Sequence, residues 1–250
     1  MIVEERQERL LAVIQKHQFI SLQELKGVTQ TSISTIRRDL ALLTDKGLVK
    51  RVHGGVEFIA QNKKSSTVSE RRPIYQADKQ KIAKRAVQQL QGGETIFLDA
   101  GSTTGEVIAY LADKKPAITV VTNSVHHAAN LSDLMIPVLI IGGQVKQTTD
   151  AVIGAAAVEQ IKNMVFDVSF VGADGISVEF GLTTPDLEEA AVKRAVVERS
   201  HVSYVLADAS KIGVASFAKA VTLEEVVLVT TNLVSKQRDE LKKVMKVLVV

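Results

Sequence analysis

Read by its hydrophobic and polar positions, the chain opens with three short helical patterns. Residues 4–17 set Leu10, Leu11 and Ile14 at helical spacing on a charged background, which predicts an amphipathic helix with one buried face. Ser21, with Glu24 three positions on, has the form of a capping box and opens a second helix. A third runs over 31–43 with Ile36, Leu40 and Leu43 on one side, and Gly47 ends it as a C-terminal glycine does. From Leu48 to Phe58 apolar and polar residues alternate around Gly54-Gly55, which predicts a β-hairpin. Three helices and a hairpin predict a winged helix-turn-helix domain over residues 1–58.

Residues 59–76, with Lys63, Lys64, Arg71, Arg72 and Pro73 among few apolar positions, read as a linker. The character then changes. Across 77–250, β-branched runs at 95–98, 118–121, 138–141, 168–171, 204–206, 226–229 and 247–250 alternate with helical patterns. That alternation predicts a second, α/β domain built on a mostly parallel sheet.

Composition narrows the setting. Hydrophobic residues make up 46% of the 250 and charged residues 24%, enough to bury a sizeable core. With no cysteine, disulfides, thiol catalysis and cysteine-bound metal are excluded. The N-terminus is charged and lacks an apolar export signal, and no apolar run approaches the ~20 residues that span a bilayer, so a cytoplasmic protein with no membrane segment is expected. The small net charge of +3 hides a gradient. Nine basic side chains face seven acidic ones in residues 1–58, eight face two in 59–85, and fourteen face nineteen in 86–250. A basic first third is what a protein that meets a polyanion needs.

The third helix carries the matching chemistry. Thr31, Ser32, Ser34, Thr35, Arg37 and Arg38 lie opposite its apolar face, and a helix-turn-helix presents that side to the DNA major groove. Arginine binds guanine through paired hydrogen bonds, and hydroxyls suit phosphates. Lys50, Arg51 and His53 on the hairpin would follow the neighbouring backbone. The competing reading makes Arg37-Arg38-Asp39 a solvated face with local ion pairs. The string from Ser34 to Leu40, followed by Gly47 to Val56, resembles the signature of the DeoR family of bacterial sugar-metabolism regulators. One departure precedes it, since Thr31-Ser32 stands where that family usually has Val-Ser.

In the second domain, Asp99-Ala100-Gly101-Ser102-Thr103-Thr104-Gly105 joins a predicted strand to a helix over 106–111. Such a small-residue loop offers backbone N–H groups and hydroxyls to a phosphate. Polar groups recur at other expected strand ends, in Thr122-Asn123-Ser124, Gly142-Gly143, Gly172 to Gly175 and Asp208 to Lys211, where open α/β sheets bind ligands. With Gly181 to Asp186, Glu188, Glu189 and Lys193-Arg194, these segments resemble the DeoR effector domain, itself similar to the ribose-5-phosphate isomerase fold. The resemblance implies a sugar-phosphate effector. Gly101, Ser102, Thr103 and Thr104 would hold the phosphate. Asp99, Asn123, Asp174 and Lys193 would face the sugar or support the pocket, and Lys211 would add a cation. It further implies a repressor acting on double-stranded operator DNA as a homo-oligomer, dimer or tetramer, without cofactor.

Residues 22–25, 181–186 and 205–213 look most like the fructose-operon subgroup, which makes fructose 1-phosphate the leading effector. The rival is a sugar-phosphate isomerase. Against it, Gly172-Ala173-Asp174-Gly175-Ile176 stands where the isomerases carry Asp-Gly-Ala-Asp-Glu, and their lysine-led polyglycine run is missing near Gly181. A metal site is not expected, because the adjacent His126 and His127 would point about 100° apart on a helix.

Overall fold

The apolar stripes of the first 58 residues turn inward in a computed structural model that describes residues 3–17, 19–29, 31–45, 49–52, 54–58, 67–112 and 118–250. The chain forms two compact units, 1–65 and 66–250. The first holds α1 (Val3–His17), β1 (Phe19–Ser21), α2 (Leu22–Thr29), α3 (Ile33–Asp45), β2 (Val49–Val52) and β3 (Gly55–Phe58). Leu10, Ile14, Leu25, Ile36, Leu40, Val49 and Val56 make its core. The capping box forms as its spacing predicts: Glu24 Oε2 accepts from Ser21 N at 2.9 Å, and Ser21 Oγ accepts from Glu24 N at 3.2 Å. Hydrogen bonds from Ser21 hold the Glu24 carboxyl below its ordinary range.

Three local details differ from the sequence pattern. The helix expected from Thr31 starts at Ile33, because Ser32 is its N-cap: Ser32 Oγ accepts from Thr35 N at 3.2 Å. Asp39 is buried and receives the fork of Arg6 on α1 at 2.6 and 3.0 Å, so it is no local partner for Arg37 or Arg38. The hairpin gains a third strand, with β1 antiparallel to β3 in the order β1-β3-β2. Gly47 and His53 lie outside the described residues.

The expected linker 59–76 is corrected over its second half; residues 59–66 lie outside the described set. Residues 67–76 fold onto the second unit through α4 (Val68–Arg71). Thr67 and Glu70 form a capping box, Val68 is buried, and Val68 N donates to Thr148 O at 2.9 Å.

Beyond it come α5 (Gln76–Val87), β4 (Thr95–Leu98), α6 (Ser102–Gly105), α7 (Val107–Leu111), β5 (Thr119–Thr122), α8 (Val125–Asp133) and β6 (Val138–Ile140). The chain continues through β7 (Gln144–Lys146), β8 (Ala151–Ile153), α9 (Ala155–Lys162), β9 (Phe166–Gly172), β10 (Gly175–Ser177) and β11 (Gly181–Thr184). It ends with α10 (Leu187–Glu198), β12 (Ser200–Leu206), β13 (Ala218–Val221), β14 (Val227–Thr230), α11 (Ser235–Lys242) and β15 (Lys246–Val249). The seven apolar runs read from the sequence become one seven-stranded parallel sheet, ordered β15-β14-β12-β9-β4-β5-β6.

Successive strand residues face opposite sides, so each side needs its own helical cover. Ile96, Leu98, Val120 and Phe170 pack under α5, α7 and α8, whereas Phe97, Val121, Val171 and Val205 pack under α9 and α10. A hairpin of β7 and β8 and an antiparallel sheet β10-β11-β13 add to this frame. Arg194 of α10 clamps β13 through Ala220 O at 2.9 Å and Lys219 O at 2.8 Å. Gly181 takes φ +77 where an added Cβ would strike the Val221 carbonyl, so the hairpin requires glycine there.

Phe166 is fully buried, its ring 5.2 Å from that of Phe97. Phe166→Ala is expected to destabilise the second unit by about 3–5 kcal/mol, read as a fall in its denaturant midpoint, with operator affinity at low temperature retained. A midpoint unchanged in this variant would show that the two aromatic rings do not anchor this face.

Candidate functional site

The DNA-reading candidates divide by exposure. Ser32, Ser34, Arg37 and Arg38 are exposed, Thr31 and Thr35 are half-buried, and Lys50 and Arg51 are exposed on β2. Ile36, Leu40 and Leu43 behind them are at most 2% exposed, so the core fixes which side of α3 faces outward. Arg51 Nη2 donates to the Arg37 carbonyl, tying the hairpin to α3. Thr31 Oγ1 donates to Thr29 O at 3.1 Å, and the Ser32 hydroxyl meets those of Ser34 and Thr35 at 2.9 and 2.8 Å. Thr31 and Ser32 thus shape the helix start, leaving Ser34, Arg37 and Arg38 as the outward set.

In the second unit, the predicted ligand residues gather at the carboxyl ends of β4, β5, β9 and β12. Asp99, at the end of β4, is 2% exposed; its Oδ2 accepts from Gly172 N at 2.9 Å and from Lys193 Nζ of α10. Burial works against the Lys193 ammonium, but the carboxylates of Asp99, Glu189 and Asp174 outweigh it and raise its pKa above the ordinary value. Asn123 Oδ1 accepts from Ala100 N at 2.8 Å. Thr104 is fully buried, with its hydroxyl turned to Asp99 O at 2.7 Å and Gly101 O at 3.1 Å. The Thr104 hydroxyl therefore braces the loop rather than facing outward, and Asn123 braces the same loop. Gly101, Ser102 and Thr103 remain partly open.

Asp174 follows β9. Its Oδ1 accepts from Arg71 Nη1 at 3.1 Å and its Oδ2 from Thr184 Oγ1 at 3.1 Å. Burial alone would raise its pKa; Arg71, Lys193 and Lys211 together lower it. Glu189, capped into α10 by Asp186, accepts from Lys146 Nζ at 3.0 Å and Thr149 Oγ1 at 2.9 Å. Lys211 sits in a 3-10 turn after β12 and has no ion pair among the described residues.

Three cations at this mouth escape the sequence patterns: Arg71, Lys79 and Lys146. Arg71 lies in the segment taken as linker. Lys79, 3% exposed on α5, donates its Nζ to the Arg71 carbonyl. Burial lowers its pKa to about 8, against an upward pull from Asp208. A buried lysine on an amphipathic helix reads as surface in sequence, so only its tertiary neighbours expose it.

Beneath the loop lies His127, 2% exposed; a Cβ on Gly105 would come within 2.9 Å of its Nε2. Its Nδ1 is buried without a hydrogen-bond partner, and burial lowers the ring pKa to about 3. His126 instead meets Asn130 Nδ2 at 2.9 Å. Above about pH 6.5 the His127 ring is neutral in both folded and unfolded chains. Below that, the unfolded chain binds a proton that the folded chain excludes until about pH 3, so stability falls across this window. Between pH 7 and pH 5 this ring is expected to remove about 2 kcal/mol. His127→Gln should lose correspondingly less over that range in chemical denaturation. Equal losses in both chains would contradict the buried neutral ring.

Comparison with known proteins places both units. Residues 6–62 match the DeoR-like helix-turn-helix domain, and residues 75–232 match the DeoR C terminal sensor domain. The chain is 39% identical over 232 residues to the uncharacterized HTH-type transcriptional regulator FruR of Bacillus subtilis, covering 93% of this chain and 92% of that one. It is 35% identical over 232 residues to the HTH-type transcriptional regulator GlpR of Haloferax volcanii, covering 93% and 91%. Among solved structures, ribose 5-phosphate isomerase A from Methanocaldococcus jannaschii overlaps 54% of this chain and 53% of its own, with 21% identity and a TM-score of 0.41. With a matched helix-turn-helix unit and a matched sensor unit in the same order, the chain belongs to the DeoR family of transcriptional regulators.

Proposed function

We propose that this regulator represses a sugar-utilisation operon in the cytoplasm and is released from operator DNA by a phosphorylated sugar, with fructose 1-phosphate as the leading effector. The observation that carries the DNA half is the division of α3: Ser34, Arg37 and Arg38 outward, Ile36, Leu40 and Leu43 buried. The arginines are placed to read guanine edges while Ser34, Lys50 and Arg51 meet phosphates. A homo-oligomer, dimer or tetramer, would set two such helices on operator half-sites. No helix among the described residues is long and apolar enough to cross a membrane.

The sensor half is supported by charge. Lys193, Arg71, Lys79 and Lys211 converge with Asp99, Asp174, Glu189 and Asp208 on one strand-end loop cluster, where Lys211 has no ion pair among the described residues and so favours an added anion. The leading sugar follows from the likeness of 181–186 and 205–213 to fructose-operon repressors. Binding without catalysis fits the state of the carboxylates. Asp99 and Asp174 are each paired with a cation, and Asp174 has a lowered pKa, whereas a proton-abstracting base works best with a pKa near the operating pH. An effector releases DNA only by the difference in its affinity for the two conformers.

A gel shift on the chain's own upstream region, with fructose 1-phosphate, fructose 6-phosphate, glucose 6-phosphate, glycerol 3-phosphate and inorganic phosphate, tests the reading. Wild type is expected to shift the fragment and to release it with fructose 1-phosphate at the lowest concentration. The double variant Arg37→Ala, Arg38→Ala should lose sequence-specific binding. Lys211→Ala should keep the shift and need at least tenfold more effector. Absence of any shift at low salt would sink the DNA assignment, and a shift indifferent to every phosphate would sink the sensor assignment.

A further inference from the structure

Arg71 occupies an unusual place. It is the last residue of α4, the first described element of the second unit in chain order. Its guanidinium reaches the strand-end charge cluster and donates from Nη1 to Asp174 at 3.1 Å, while its Nε is buried with no hydrogen-bond partner. Its carbonyl receives the Lys79 ammonium. Helix α4 also packs against α6, the candidate phosphate loop. One residue thus touches the charge cluster with its side chain and belongs, through its backbone, to the first described helix of the second unit.

We propose that Arg71 is an effector ligand and the coupling residue of the sensor: the effector's phosphate competes with Asp174 for its guanidinium and so repositions α4. This rests on the pocket reading above. The chemistry favours the exchange. A guanidinium forms a fork of two parallel hydrogen bonds with a phosphate, and Arg71, which donates to Asp174 from Nη1, has its buried Nε unused. A dianion also outbids a single carboxylate for charge. Lys79 stays on the Arg71 carbonyl, so movement of the side chain is felt where α4 meets α5. The backbone bonds from Val68 N to Thr148 O and from Arg72 N to Val68 O report whether α4 has shifted.

The experiment is calorimetry with inorganic phosphate and with the sugar phosphates named above, on the full-length chain, for wild type, R71A and D174N. R71A should bind phosphate at least tenfold more weakly while holding operator DNA within twofold of wild type. D174N should bind inorganic phosphate more tightly, by at least threefold, because it frees the guanidinium without removing a contact that phosphate itself uses. A purely structural ion pair would weaken binding in both variants. Hydrogen exchange at residues 67–72 provides a second readout: ligand should change it severalfold in wild type and leave it unchanged in R71A. If R71A does not fold, R71K and D174N decide the matter through the same opposed shifts. If wild type responds to a sugar phosphate and both variants respond alike, the coupling role of Arg71 is wrong and the pocket reading stands. If wild type binds none of the phosphates, both fall together.

Discussion

The sensor depends on one buried ion pair, Lys193 with Asp99. Asp99 sits at the end of β4, accepts Gly172 N from the end of β9, and meets a lysine from the middle of α10. Three separate elements are thereby held at one point. Taking two charges out of water is costly, and leaving either alone would cost about 3–5 kcal/mol, so the pair enforces its own geometry more than it adds net stability. What it fixes is the start of the loop at Ala100, which Asn123 and Thr104 then brace from β5 and from within. A ligand site built this way has a rigid floor.

Around that floor two further groups of charges form partly exposed pairs. Arg71 with Asp174 and Lys146 with Asp186 and Glu189 have side chains between 10% and 29% exposed, against 7% and 3% for Lys193 and Asp99. Partial exposure matters because solvent lowers the cost of separating such partners, and an incoming anion can substitute for either carboxylate. The same division holds in the DNA-binding unit. Asp39, buried under Arg6, belongs to the frame, while Arg37 and Arg38 beside it are exposed on α3.

Much of this was legible in the sequence, for identifiable reasons. The central sheet strands showed because a strand buried on both faces reads as a near-continuous apolar run, as in 226–229. The loop at 99–105 showed because its small residues stand out between a strand and a helix. Helix α3 showed through its 3.6-residue spacing, although its start did not: Thr31 and Ser32 look like helix surface, and only the cap bond from Thr35 N distinguishes them. Strands β10, β11 and β13 stayed hidden, being three or four residues long and held by tertiary clamps such as Arg194 rather than by their own pattern. Residues 67–76 read as linker because one buried valine carries no periodicity. The roles of Thr104 and Asn123 turned on where a hydroxyl and an amide point, which spacing does not record.

The contrast between rigid floor and exchangeable rim explains how a sensor of this architecture can signal at all. A ligand that bound only to fixed groups would have equal affinity for every conformer of the domain and would shift no equilibrium. The floor residues, Asp99, Thr104, Asn123 and Lys193, hold the loop in place and cannot move without exposing buried charge or breaking it. Differential affinity has to come from groups not locked into a fully buried pair, and among the described residues at this mouth those include Arg71, Lys146 and Lys211. Of the three, Arg71 alone lies beside the segment that leads to the DNA-binding unit. On the role proposed for Arg71, a signal to the operator would need no long path through the sheet: it would begin at the rim, where the sensor's first helix already ends.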